Sequence, residues 1–162
     1  MDYELRAPII SDIEALNKIR TDDRIYKNIL SLTSESIEET KSYFFDNNLY
    51  KENLIIKVGG SVIGYVQLRR NTEKRKFHKA SLSIALSYEY HHKYYGTIMM
   101  DRMIDIAKNQ LGLKKLELTV LENNKHAIEF YKKSGFVVEG LQTFDTIVDG
   151  EYENVYILGM IL

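Results

Sequence analysis

The chain predicts an α/β fold, a mixed central sheet of about seven strands with helices on both faces, and three observations carry that reading. Hydrophobic periods of two and of 3.6 residues alternate along the sequence in the order strand, helix, helix, three strands, helix, strand, helix, two strands. No linker, internal repeat or low-complexity stretch interrupts this order, and the one proline is Pro8. A chain of 162 residues with 44% hydrophobic content can bury one core and not two, so residues 1–162 read as a single domain.

The elements follow in turn. Tyr3 to Ala7 reads as a strand, and Ser11 with Glu14 three residues on reads as the capping box of a first helix. A second helical region starts near Ser34 or Ser36 and runs to about Asp46. Leu54 to Val58 and Val62 to Leu68 flank Gly59-Gly60, the pattern of a β-hairpin with a glycine turn. In the next strand Ala80, Leu82, Ile84 and Leu86 alternate onto one face, and Ser81, Ser83, Ala85 and Ser87 leave the other face small. Small side chains leave room for something to approach the backbone. A helix from about Tyr95 to Gln110 buries Met99, Met100, Met103, Ile106 and Ala107. Lys115 to Leu121 is a strand. A short helix follows, with Asn123 or Asn124 as its cap, Lys132 and Lys133 at the negative end of its dipole, and Gly135 as the left-handed closing residue. Phe136 to Gln142 and Asn154 to Leu162 close the chain as two strands around an Asp149-Gly150 turn.

Composition narrows the function. With no cysteine, a disulfide framework, a thiolate metal site and a cysteine nucleophile are excluded together. The N-terminus lacks a basic, then apolar, leader pattern, and no apolar run approaches the roughly 18 residues of a membrane span, so a soluble, cytoplasmic protein is expected. A net charge of -1 gives no general attraction to nucleic acid or anionic membranes. Arg69, Arg70, Lys74, Arg75, Lys76, His78 and Lys79 form one basic run, read as a solvated loop, with a phosphate-bearing partner or the nucleotide end of a cofactor as the sharper readings. His91 and His92 have no third ligand at a useful spacing, which makes a poor metal site, and no metal is expected.

The segment with the most chemistry is Asn124-Lys125-His126-Ala127-Ile128-Glu129-Phe130-Tyr131-Lys132-Lys133-Ser134-Gly135-Phe136. Two helical turns bring Asn124, Ala127, Ile128 and Tyr131 onto one face. Its pattern, Asn-x-x-Ala-Ile-x-x-Tyr-x-x-x-Gly-Phe, resembles the last conserved motif of the GCN5-related N-acetyltransferase (GNAT) family, nearest to the branch of spermidine and N-terminal amine acetyltransferases. The element order matches the GNAT fold over nearly the whole chain. The resemblance implies an N-acetyltransferase that moves an acetyl group from acetyl-CoA to a primary amine by direct attack in a ternary complex. It implies that Asn124 and Ala127 line the pantetheine arm and that the Tyr131 hydroxyl faces the thioester sulfur. It also implies that Leu82, Ile84 and Leu86 offer main-chain contacts where their strand splays from the next.

His91-His92-Lys93-Tyr94-Tyr95-Gly96-Thr97 stands where the family binds pyrophosphate, on the pattern Gln or Arg, two residues, Gly, one residue, Gly or Ala. Tyr94 replaces the first glycine, and a tyrosine does not adopt positive φ cheaply, so either the loop tolerates Tyr94 or binding suffers. His91, His92 and Lys93 offer compensating charge, which would make affinity fall as pH rises through roughly 6.5.

A lysine-like amine must lose a proton before attack, at roughly 4.6 kcal/mol at pH 7. Ser81 stands where many relatives carry a glutamate base, leaving Glu117, Thr119, Glu89, His91 or a water chain as candidates. Tyr131 is expected to donate a hydrogen bond to the departing sulfur. Acceptor selectivity is expected from Asp22, Asp23, Glu35, Glu38 and Glu39 on one side and Asp145, Asp149, Glu151 and Glu153 on the other, for a small-molecule or peptide amine. Two alternatives come from other classes: a catalytically impaired acyl-CoA-binding module on the same fold, and a nucleic-acid-associated protein using the basic run. The apolar last strand is a candidate homodimer contact.

Overall fold

The computed structural model describes residues 2–162. Seven strands form one sheet: β1 (Glu4–Arg6), β2 (Lys51–Val58), β3 (Ser61–Arg70), β4 (Lys79–Leu86), β5 (Lys115–Leu121), β6 (Val137–Val148) and β7 (Glu151–Ile161). Five helices accompany them: α1 (Ile13–Thr21), α2 (Tyr26–Ile29), α3 (Ile37–Phe45), α4 (Tyr95–Asp105) and α5 (Lys125–Lys133). The strand order is β1-β2-β3-β4-β5-β7-β6. Every neighbouring pair is antiparallel except β4 and β5, which are parallel and joined through α4.

Helices cover both faces of the sheet, and each face has its own core. On one, α4, the π-helical turn Ile106–Gln110 that continues it, and α5 bury Met99, Met100, Met103, Ala107, Ile128 and Tyr131 against Leu82, Leu116, Leu118 and Leu158. On the other, α1 and α3 pack Ile13, Leu16, Ile19 and Phe44 against Ile55, Tyr65 and Ala85. The alternation read in the fourth strand is therefore real: Ala80 and Leu82 enter the first core, and Ala85 the second.

Pairing between β4 and β5 covers only Lys79↔Lys115, Ala80↔Leu116 and Ser81↔Glu117. Beyond that point β4 stays on β3 as far as Gly64↔Leu86, and β5 stays on β7 as far as Leu121↔Val155. The sheet forks at Ser81. Gly64 helps to hold β4 on its own side of the fork, because a Cβ there would stand 2.8 Å from the Ala85 carbonyl oxygen and 2.8 Å from Leu86 Cδ1.

Local details differ from the sequence reading in four places. Ser11 does not cap α1: a 3₁₀ turn, Ile10–Asp12, leads in, and the Asp12 carboxylate accepts from the Ile9 amide at 2.8 Å and from Arg6 at 2.7 and 3.1 Å. The four-residue α2 is additional and ends at Leu30 in the left-handed region. The C-terminal strands run up to the Asp149-Gly150 turn, with irregular register at Val138/Gly140 and Gln142/Thr146. Finally β6, not β7, is the edge. β7 is hydrogen-bonded on both sides and buries Val155, Leu158 and Gly159, which accounts for its apolar sequence without a subunit contact. Of the two starts read for the second helical region, Ser34 or Ser36, it is Ser36 that caps α3, in a reciprocal box with Glu39. No described helix is long and apolar enough to cross a membrane.

Candidate active site

The fork exposes main chain of defined parity. Ser87 N donates to Ile63 O at 2.7 Å and Asn71 N to Lys79 O at 2.9 Å, so the odd-numbered residues of β4 are the ones bonded to β3. Alternation then turns the amide and carbonyl of Leu82, Ile84 and Leu86 toward β5. Past Ser81 no strand lies opposite them. The Leu86 carbonyl accepts a hydrogen bond from His91 Nε2 at 2.8 Å, which anchors the following loop to the end of β4.

That loop, His91 to Thr97, runs into α4 through two left-handed residues, His92 (φ 59°) and Tyr94 (φ 66°). Tyr94 thus adopts the backbone state that a glycine would take at lower cost. Its side chain is 75% exposed, clear of the packed interior. Tyr94 is also the N-cap, with no side-chain cap bond, and the first helical bond runs from Ile98 N to Tyr94 O at 3.1 Å. The amides of Tyr95, Gly96 and Thr97 precede that bond and have no helical acceptor. Tyr95 is buried, edge-on to Tyr90, and Lys93 Nζ lies 5.4 Å from the Tyr90 ring. The His126 ring, on the first turn of α5, lies 5.6 Å from that of His92. This proximity was not legible from spacing. The basic run, in contrast, sits around the β3–β4 connection at the opposite end of β4, roughly 25 Å of strand away. Two of its members are paired locally, Lys76 with Glu73 and Arg70 over the Phe77 ring.

Helix α5 builds the far side of the fork. Asn124 is its N-cap, with Oδ1 accepting from the Ala127 amide at 3.2 Å, which leaves the side-chain NH₂ free for a ligand. Gly135 closes the helix at φ 106°, and Phe136 N returns to Tyr131 O at 3.0 Å. Tyr131 is 9% exposed and shares one core with Leu82 of β4 and with Leu118 and Val120 of β5, the strands on either side of the fork. Its hydroxyl makes no hydrogen bond within the described residues, yet it is not sealed from the surface. Burial pushes its pKa up to about 12.

The candidate bases are less available than their sequence positions suggest. Burial raises the Glu117 pKa, but Lys79 at 2.8 and 2.9 Å and Lys115 at 3.5 Å outweigh it and hold the carboxyl below its usual range. Glu89 is held low by a backbone amide and by Arg24, 2.7 Å away. Ser81 is exposed and makes one long contact, 3.4 Å, to Arg69 O. Thr119 is exposed on β5.

Of the carboxylates considered for the acceptor, three come together. Asp149, Glu151 and Glu153 line a cleft of about 480 Å³ with Lys27, Asn123 and Asn124, between α2 and the β6–β7 turn. Tyr26 donates to Asp149 at 3.1 Å across that cleft. Of the others, Asp22 is engaged with Arg24, Glu35 with Arg20, and Glu39 in the α3 cap, while Asp23, Glu38 and Asp145 do not line the cleft. Sequence reasoning missed a polar group on the same side of the sheet, made of Tyr43, Ser83, Arg20 and Glu35. Its members are too far apart in sequence for any spacing rule to find.

The site is thus a forked sheet with an uncapped helix start at one side and an unpartnered buried phenol above it. Residues 14–136 match the model of the acetyltransferase (GNAT) family, and the chain belongs to that family; it is an acetyltransferase. An L-amino acid N-acetyltransferase of Escherichia coli is 27% identical over 150 residues, covering 93% of this chain and 92% of that protein. The spermidine N(1)-acetyltransferase of Escherichia coli is 30% identical over 117 residues, 70% of this chain and 61% of that protein. The spermidine N-acetyltransferase of Vibrio cholerae, solved in complex with CoA and spermine, superposes with a TM-score of 0.87 at 22% identity over 98% of this chain and 95% of that one.

Proposed function

We propose that residues 1–162 act as one domain that transfers an acetyl group from acetyl-CoA to a primary amine by direct attack within a ternary complex. The observation that carries this reading is the fork, with the Tyr131 hydroxyl free above it. Leu82, Ile84 and Leu86 offer main-chain groups in the parity that an added strand would use, which suits the amides of a pantetheine arm. The free amides of Tyr95, Gly96 and Thr97 and the positive end of the α4 dipole suit a pyrophosphate, with His91, His92, Lys93 and the left-handed Tyr94 shaping the turn. The Asn124 NH₂ and Ala127 line the arm. Acetyl-CoA, when bound, supplies the activated acyl group, and a chain drawing on it is expected in the cytoplasm.

Tyr131 keeps its proton at neutral pH. Passing that proton fully to a thiolate of pKa about 8.5 would be uphill by about 5 kcal/mol. It therefore acts as a hydrogen-bond donor to the sulfur as charge develops there. The amine enters from the α1 and α3 side, because α4, α5 and Tyr131 occupy the other. Asp149, Glu151 and Glu153 favour an acceptor that carries positive charge, in keeping with the spermidine and amino acid acetyltransferases among its relatives.

Calorimetric titration with acetyl-CoA beside desulfo-CoA, followed by thiol release on a panel of spermidine, L-amino acids and small alkylamines, tests the proposal. Micromolar binding and thiol release with at least one amine are expected. Binding without release would leave an acyl-CoA-binding module, and no binding at high ligand would overturn the reading of the fork.

A further inference from the structure

The acceptor side of the fork has no free carboxylate on β4 or β5, since Glu117 is held by two lysines. It does have a hydroxyl. Ser83 is the first residue on that face of β4 beyond the last pair with β5, Ser81↔Glu117. Its Oγ lies 3.0 Å from the Tyr43 hydroxyl of α3, at hydrogen-bonding distance.

Tyr43 is held on several sides. Its ring lies on the Arg20 guanidinium, 3.7 Å from centroid to Cζ, and Arg20 is itself fixed by Glu35 at 2.6 and 2.9 Å. Its carbonyl accepts from Lys51 Nζ at 2.7 Å and from Gln67 Nε2 at 3.2 Å. The Tyr65 ring stands edge-on at 6.1 Å. The charged groups facing Tyr43 are thus Arg20 with Glu35 from α1 and the α2–α3 connection, and Lys51 with Asp46 from β2 and the end of α3. On its other side Tyr43 borders an open cleft of about 430 Å³ lined also by Ser34, Glu39 and Ser42. Two hydroxyls therefore link the fork to a tyrosine that lines this cleft, and the Arg20 guanidinium over its ring steadies negative charge on it while a proton is in transit.

We infer that Ser83 is a catalytic residue and Tyr43 its positioning partner, together forming a hydroxyl relay that orients the acceptor ammonium and carries its proton from the fork to the cleft beside α3. This rests on the acetyl-transfer reading above. One N–H bond breaks as a Ser83 Oγ–H bond forms. The original Ser83 proton passes to the Tyr43 oxygen, and the Tyr43 proton passes to water in the cleft. Both hydroxyls are regenerated, and the nitrogen lone pair is free to attack the thioester carbon.

Tyr43→Phe keeps the ring over Arg20, Ser83→Ala removes the inner hydroxyl, and Ser83→Thr keeps one. For the best acceptor of the panel, kcat/KM is measured from pH 7 to about 9.5, with acetyl-CoA affinity by calorimetry and the urea midpoint alongside. Tyr43→Phe and Ser83→Ala should each lower kcat/KM at pH 7 by about tenfold or more, with the double variant no worse than the poorer single one. The deficit should narrow as pH rises and more of the amine is already unprotonated. Acetyl-CoA affinity should be unchanged, and Ser83→Thr should recover most of the rate. Variants within roughly twofold of the parent at pH 7, or a deficit equal at every pH, would overturn the relay while leaving acetyl transfer standing. A parent protein from which none of the amines elicits thiol release would instead refute the acetyl-transfer reading, and the relay with it.

Discussion

The two faces of the sheet are built on different principles. Under α4 and α5 the core is apolar, with three methionines fully buried, and its buried ionisable groups are the Tyr95 and Tyr131 phenols. Under α1 and α3 an apolar cluster shares its space with Arg20, Glu35, Thr40 and Tyr65 in one hydrogen-bonded group, with the Tyr43 ring lying on Arg20. The apolar face leaves the Tyr131 hydroxyl unpaired and available, whereas on the polar face the buried side chains of Arg20, Glu35, Thr40 and Tyr65 are hydrogen-bonded to one another. One face positions a reacting atom by shape. The other positions groups by charge, which is directional and less forgiving of change.

The largest effect that can test this contrast is the loss of Arg20. Arg20→Met would leave Glu35 without its partner and should destabilise the fold by about 3–5 kcal/mol in urea denaturation. Replacing both, Arg20→Met with Glu35→Leu, should recover much of that loss, because a buried ion pair contributes little beyond an apolar pair of similar volume. Acid provides a second reading of the same pair. Burial raises the Glu35 pKa, but the bonds from Arg20 and Thr40 outweigh it and leave it below the usual carboxylate value. A lowered folded pKa contributes stability that is present above the unfolded value of about 4.3 and is lost as pH falls through the folded one. The parent should therefore show that acid loss, and the double apolar variant should show less of it. A double variant as unstable as the single would mean that the network supports packing that apolar side chains cannot replace.

On the apolar face the informative change is Tyr131→Phe. The hydroxyl has no protein partner, so removing it should leave stability within about 0.5 kcal/mol and acetyl-CoA affinity nearly unchanged. The rate of acetyl transfer should fall more than about tenfold. An unchanged rate would remove Tyr131 from the chemistry and leave it as a core residue.

What was legible in the sequence is what a short window encodes. The α5 motif, its Asn124 cap and its Gly135 close lie within one continuous stretch, and the methionine stripe of α4 lies within another. Features that depend on pairing between distant segments were not legible. The Tyr43–Ser83 contact joins α3 to β4, and His126 meets His92 only once α5 packs beside the start of α4, whereas the parting of β4 from β5 was expected only through the family resemblance. Ser11 satisfied a local capping rule that lost to Asp12, because Asp12 also gains the Arg6 guanidinium across a turn. The four-residue α2 is too short to carry a period.

Tyr94 is where a local preference is overridden, and it yields the smallest of the expected effects. Its left-handed backbone should cost about 1–2 kcal/mol relative to a relaxed conformation, and the His91–Leu86 bond and the packed Tyr95 on either side hold it there. Glycine would relieve that strain but would lose more chain entropy on folding, about 0.5–1 kcal/mol. Tyr94→Gly should therefore raise stability by less than about 1 kcal/mol, a shift of a few degrees in Tm at most. Because the Tyr94 side chain projects into solvent, acetyl-CoA affinity should stay within roughly threefold of the parent. A large gain in affinity would show that the phenol ring obstructs the pyrophosphate turn. A large loss would show that the ring itself holds the ligand, which would make this loop a different phosphate site from the glycine pattern it replaces.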